Sequence, residues 1–202
     1  MALPLGRLTI GAVLVILMAF LYSQADLVYG IYADQVRFVL SVYFFMFLLV
    51  MSGFGARMPL LSADLSQLSG FAIGFVLTAI PMLVIVKLPV FGGVIQAQVT
   101  PDMLVTAAGF GLLHGFVKAF IEEAVFRDIL QSRLGMVISN VLFGLFHFAV
   151  LGANIMGMIF LTVLGFGWSL MKERFGLMGS VGSHFAYNLG VMGILPGLVG
   201  VV

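Results

Sequence analysis

Three short polar patterns hold most of the side chains in this sequence that could do chemistry. They join residues four apart and are Glu122-Glu123 with Arg127, Phe143 with His147, and His184 with Asn188. Carboxylates and imidazoles can take a proton from water, and an asparagine amide can donate to a developing oxyanion, so the set suits hydrolysis of an amide bond. Two imidazoles and a carboxylate can equally hold a zinc ion with an open water position. The residues leave both mechanisms open.

The rest of the chain is strongly apolar. It has 202 residues, of which 62% are hydrophobic and 8% charged, with a mean hydropathy of +1.23. Soluble domains carry about 25% charged residues, so the composition predicts an integral membrane protein. An ionisable side chain at the centre of a bilayer helix costs roughly 2.5–3.5 kcal/mol, which favours a functional role for those present.

Composition also excludes several classes of protein. The net charge is +1 and the nine basic residues are dispersed, so we expect no nucleic-acid partner. The chain has no cysteine, which excludes disulfides, thiolate metal sites and cysteine nucleophiles. Any catalysis must therefore use oxygen or nitrogen groups.

Apolar stretches of about 20 residues can each cross the bilayer as a helix. Seven are predicted, at residues 8–25, 37–55, 69–90, 103–121, 136–151, 155–171 and 179–200. The expected fold is an all-α, polytopic transmembrane helical bundle formed by a single membrane-embedded domain over residues 1–202. A count of six or eight stays open, because the fifth and sixth spans are short and only a tight turn separates them.

The basic residues predict the orientation of the spans. A cytoplasmic N-terminus places six of them on the cytoplasmic side, namely Arg7, Arg57, Arg127, Arg133, Lys172 and Arg174. Arg37 and Lys87 then lie near the outer ends, and the three polar patterns meet in the cytoplasmic half of the membrane. The small size favours a prokaryotic plasma membrane as the location.

Helical spacing predicts different roles for the two glutamates. Residues four apart share a helix face, so Glu123 can pair with Arg127 as a structural ion pair, which leaves Glu122 directed at the histidines. The reverse assignment stays open, because Lys118 is four residues before Glu122. Phe143 is expected to orient its neighbours by packing, and His114, which belongs to no pattern, is expected to pack or bond between helices.

In their order and spacing, the three patterns together resemble the CPBP family of intramembrane proteases. This group contains type II CAAX prenyl endopeptidases and bacteriocin-processing or immunity proteins, and the resemblance covers residues 103–190. It implies Glu122 as the catalytic base, His147 and His184 as partners in the site, and Asn188 as a site residue that binds the oxyanion. The implied substrate is a hydrophobic or membrane-anchored peptide or protein.

Family descriptions leave two mechanisms for such a site. One is a water activated by glutamate without a metal, and the other is a zinc-type hydrolase with Glu122, His147 and His184 as the metal ligands. The main rival is a non-catalytic membrane protein, an immunity factor or transport component that uses the same cluster for binding. Site-2-type, rhomboid and aspartyl proteases fit worse, because their motifs are missing from the sequence.

Overall fold

The computed structural model describes residues 15–26, 33–49, 65–85, 101–147, 155–191 and 194. Regular structure in these ranges is helical throughout, which confirms the all-α prediction for them. The helices are α1 (residues 15–23), α2 (Ala33–Leu49), α3 (Leu65–Ile85), α4 (Pro101–Glu123), a π-helix (Ala124–Leu130), α5 (Gln131–Phe146) and α6 (Ile155–Val191).

Three helical stretches of the described chain are long and apolar enough to cross a membrane. They are Leu65–Val84, Leu112–Phe146 and Ile155–Val191. Large apolar side chains such as Ile80, Val163 and Leu170 are exposed on them, as expected for surfaces that contact lipid tails. The protein is therefore an integral membrane protein. The prediction of seven spans extends over residues outside the described ranges, as do Arg7, Arg57 and Lys87.

Helix α6 reverses direction at Gly176. Its 37 residues would extend about 55 Å if straight, far more than the roughly 30 Å of hydrocarbon in a bilayer. Gly176 has φ 74° and ψ 177°, a backbone conformation essentially reserved for glycine. Trp168 and His184, which a straight helix would hold about 24 Å apart, stack with ring centroids 4.0 Å apart. The two halves of α6 therefore form a helical hairpin, with its turn between the predicted spans 155–171 and 179–200.

A second reversal lies at Gly135 within α5. This glycine has φ 81° and ψ 166°. Phe126 precedes it and Phe143 follows it, yet their ring centroids lie 5.2 Å apart in an edge-to-face contact. The chain thus folds back after the π-helix, and the second half of α5 packs against the segment that contains both glutamates.

Close approach of α3 to the second half of α6 depends on small residues. A Cβ atom added to Gly74 would come within 3 Å of the backbone of Gly179, and one added to Gly182 would come within 3 Å of the backbone of Phe71. Thr78 and Ser183 share a hydrogen bond of 2.5 Å across the same interface. Small residues let membrane helices approach until backbone atoms touch, and this contact fixes the helix that carries His184.

Candidate functional site

Glu122 and Glu123 end α4 deep inside the helical bundle. Both side chains are fully buried, and the π-helix begins at the next residue. Single π-helical turns are frequent at functional sites. The predicted ion pair is formed across this junction, with Nε of Arg127 3.2 Å from Oε2 of Glu123. Two charges removed from water are thereby compensated by each other.

The guanidinium group of Arg127 lies in a buried space between the ring of Phe143 and Gly165. Its side chain is fully buried, and the guanidinium carbon lies 4.7 Å from the ring centroid of Phe143. A Cβ atom at Gly165 would lie 2.6 Å from Oδ1 of Asn140 and 3.1 Å from Nη2 of Arg127. Gly165 on α6 therefore leaves the space that the guanidinium needs.

Glu122 faces the two histidines. Its Oε1 lies 3.7 Å from Nε2 of His147, and its Oε2 lies 3.4 Å from Nε2 of His184. Lys118, the alternative partner, has its Nζ 3.9 Å from Oε1. Two carboxylates and two cations balance the formal charge of this cluster when both imidazoles are neutral. The structure thus places each glutamate beside one cation and gives only Glu122 contacts with both histidines.

His147 lies where α5 ends, and backbone geometry fixes its ring. Its Nδ1 is 2.9 Å from the carbonyl oxygen of Phe143, one turn earlier. A carbonyl only accepts, so the assigned tautomer carries its proton on Nδ1 and donates it to Phe143. The lone pair on Nε2 then points toward Glu122.

The ring of His184 is also fixed by a hydrogen bond at Nδ1, in this case to the side chain of Glu123. Its Nδ1 lies 2.8 Å from Oε1 of Glu123, and Ser180 donates a hydrogen bond to the other oxygen of that carboxylate. Because Glu123 is ion-paired as a carboxylate, the assigned tautomer of His184 donates from Nδ1. Nε2 of both histidines is therefore an acceptor close to Glu122, and an acceptor there can take a hydrogen bond from a water molecule beside the carboxylate.

Aromatic rings surround the histidines and keep the site apolar. Trp168 stacks on His184 with the ring planes 10° apart. Phe143, expected to orient its neighbours, has its ring centroid 4.7 Å from that of His147 and 5.9 Å from that of His184. Charge–dipole contacts gain strength in such low-dielectric surroundings.

Asn188 lies one turn after His184 on α6, and its side chain is buried. Its Nδ2 donates to the carbonyl of Gly115, 3.1 Å away on α4. An amide group has two N–H donors, and the described residues provide an acceptor for one of those of Asn188, which leaves the second for a ligand. Its oxyanion-binding role stays a prediction. His114 is partly buried on α4, two turns before Glu122.

Three further residues of the site were not predicted from the sequence. Ser180 could have been found, because Ser180, His184 and Asn188 follow one another at four-residue spacing on one face. Trp168, the single tryptophan, lies on the other half of the hairpin and has no spacing signal. Tyr43, which donates a hydrogen bond to Oε1 of Glu122, belongs to α2 and lies 79 residues away in the chain.

The predicted zinc ligands do not form a recognisable metal site. No group of three or more His, Asp or Glu side chains in the described ranges has the arrangement needed to hold a metal ion. Oε1 of Glu122 already accepts from Tyr43 and faces the Lys118 ammonium, and both of these neighbours oppose a nearby cation. Zinc binding by these residues stays a prediction.

The fold and the site define a polytopic membrane protein with a buried acid–histidine cluster. Residues 104–190 match the family model described as type II CAAX prenyl endopeptidase Rce1-like. This segment contains every residue predicted for the site, and the match confirms the resemblance to that family. No curated protein and no solved structure matches the chain.

Proposed function

We propose that this protein is an intramembrane endopeptidase that cleaves a peptide bond near a hydrophobic or membrane-anchored segment. The observation that carries the proposal is the convergence of Nε2 of His147 and Nε2 of His184 on the buried carboxylate of Glu122. Burying these ionisable groups in an apolar bundle costs free energy that packing alone does not recover, and this favours a functional role for them. The family of residues 104–190 is one of endopeptidases.

In the proposed reaction, Glu122 takes a proton from a water molecule as the water oxygen attacks the carbonyl carbon of the substrate. The carbonyl π electrons move to oxygen and give a tetrahedral oxyanion, for which the spare N–H of Asn188 is the proposed donor. The carbon–nitrogen bond then breaks. Glu122 returns its proton to the leaving nitrogen, so that the products are a carboxylic acid and an amine.

His147 and His184 position the attacking water in the proposed reaction. Because their Nδ1 protons are donated to Phe143 and Glu123, their Nε2 atoms are acceptors. One of them can accept one hydrogen of the water, so that the other hydrogen is directed at Glu122. The ion pair of Glu123 with Arg127 holds that second carboxylate and thus the His184 ring. Holding the attacking water in a fixed position lowers the entropic part of the activation free energy.

A substrate panel tests the proposal. The protein in lipid vesicles is incubated with a prenylated peptide that ends in a CAAX-like sequence, its unprenylated copy, a transmembrane peptide and a soluble peptide, and the products are read by mass spectrometry. We expect one internal peptide bond to be cut in a membrane-associated peptide and none in the soluble one. A parallel reaction in chelator should proceed at the same rate. Cleavage of no peptide would contradict the proposal, and rescue of a chelated sample by zinc would replace the metal-free mechanism.

A further inference from the structure

Tyr43 lies outside residues 104–190, the segment that matches the family model, yet its side chain reaches the site. It lies in the middle of α2, is 3% exposed and donates a hydrogen bond from its phenol to Oε1 of Glu122. Its ring packs edge-on against Phe146, with centroids 6.3 Å apart. The phenol is therefore held in place from α5 as well as from its own helix.

The two oxygens of Glu122 have different surroundings. Oε1 accepts from Tyr43 and faces Nζ of Lys118 at 3.9 Å and Nε2 of His147 at 3.7 Å. Oε2 has no hydrogen-bond partner among the described residues, although it is buried and lies 3.4 Å from Nε2 of His184. Oε1 thus already accepts a hydrogen bond, whereas Oε2 is available to accept one.

A glutamate carboxyl group rotates easily about its last side-chain bond, because that torsion has broad, two-fold minima. A charge-assisted hydrogen bond from a buried phenol is strong and directional. Since a carboxylate only accepts, the proton of this bond must come from Tyr43. The bond therefore fixes which oxygen of Glu122 points to His184.

We infer that Tyr43 is a positioning residue for Glu122, holding Oε1 so that Oε2 is the oxygen that takes the proton from water. This inference rests on the proposed function. The phenol does not exchange its proton in the reaction: the water proton moves to Oε2 and later to the leaving nitrogen. Among the described residues, Lys118, His147 and His184 also face this carboxylate, and His114 and Tyr187 lie near enough to interact with its charge.

Tyr43→Phe tests the inference, because it removes the hydroxyl and keeps the packing ring. Loss of a hydrogen bond to a charged group should lower kcat by about 10-fold or more. KM should stay within about twofold, since a positioning defect acts on the reacting groups rather than on substrate binding. Tyr22→Phe is the matched control, because it removes the hydroxyl of a tyrosine that is 46% exposed.

An infrared measurement reports the same contact without any turnover. Difference spectra between a protein and its Glu122→Gln counterpart isolate the carboxylate band of Glu122. That band should move in Tyr43→Phe and keep its position in Tyr22→Phe. An inactive wild-type protein would overturn the proposed function, while the band would still show whether Tyr43 holds Glu122. An unmoved band, or an unchanged kcat in an active Tyr43→Phe protein, would overturn the inference.

Discussion

At the residue scale, the two adjacent glutamates have separate tasks that their surroundings assign. Glu123 is tied to Arg127, Ser180 and His184, which satisfy both of its oxygens. Glu122 keeps one oxygen with no hydrogen-bond partner among the described residues. A carboxylate saturated with partners stabilises structure, whereas one with an available oxygen can act as a base.

The Glu123–Arg127 pair should contribute to stability. Arg127→Ala leaves Glu123 buried without its cation, which should lower the free energy of unfolding by about 3–5 kcal/mol. Thermal unfolding in detergent would show this as a lower Tm. Arg174→Ala, which removes an exposed arginine, is the control and should leave Tm nearly unchanged. An unchanged Tm in Arg127→Ala would contradict a structural role for the pair.

Spacing along the chain predicted the residue contacts that lie within one helix. The pair of Glu123 with Arg127 and the succession of His184 and Asn188 both follow from the four-residue repeat. Contacts between helices carry no such signal. Neither Tyr43 on Glu122 nor Trp168 on His184 could be predicted, because each depends on how distant segments pack.

At the element scale, glycine reversals decide where the polar residues meet. Gly135 returns the chain so that His147 faces Glu122, and Gly176 returns it so that Trp168 covers His184. Hydropathy predicted breaks between residues 121 and 136 and between 171 and 179, and the reversals lie in those intervals. The π-helix after Glu123 was not predicted, because it depends on tertiary contacts rather than on local sequence.

Gly176→Ala should destabilise the hairpin of α6. A Cβ atom there would meet nothing within 4 Å, so the whole cost is backbone strain at φ 74° and should reach about 1–3 kcal/mol. Gly167→Ala is matched to it, since a Cβ atom there also meets nothing within 4 Å while no positive φ is involved. Helix propensity predicts that Gly167→Ala is neutral or stabilising. Equal melting temperatures for the two variants would argue against a strained turn.

At the scale of the whole molecule, both reversals lie at the same end of the bundle. Nε2 of Gln131 donates to Oε1 of Glu173 at 2.9 Å, which joins the segment before Gly135 to the segment before Gly176. Arg133, Lys172 and Arg174 gather at this end. The positive-inside rule then predicts that this end is cytoplasmic.

Single cysteines can test this orientation against a clean background, because the chain has no cysteine. Ser132→Cys and Glu173→Cys should both react with a membrane-impermeant maleimide from the cytoplasmic side of oriented vesicles. Asp34→Cys, at the predicted outer end of α2, should react only from the opposite side. Labelling of Ser132→Cys and Glu173→Cys from different sides would contradict the hairpin arrangement, and labelling of both from outside would reverse the orientation.

If Glu122 activates the water that hydrolyses the peptide bond, replacing its carboxylate should remove cleavage, whereas replacing an exposed carboxylate should not. Cleavage of the best membrane-associated peptide is compared between Glu122→Gln and Glu173→Gln, two substitutions of identical chemistry at a buried and an exposed carboxylate. Loss of a general base should reduce kcat by about 100-fold or more. We expect that loss for Glu122→Gln and near wild-type cleavage for Glu173→Gln, whereas near wild-type cleavage by folded Glu122→Gln protein would show that Glu122 is not the base.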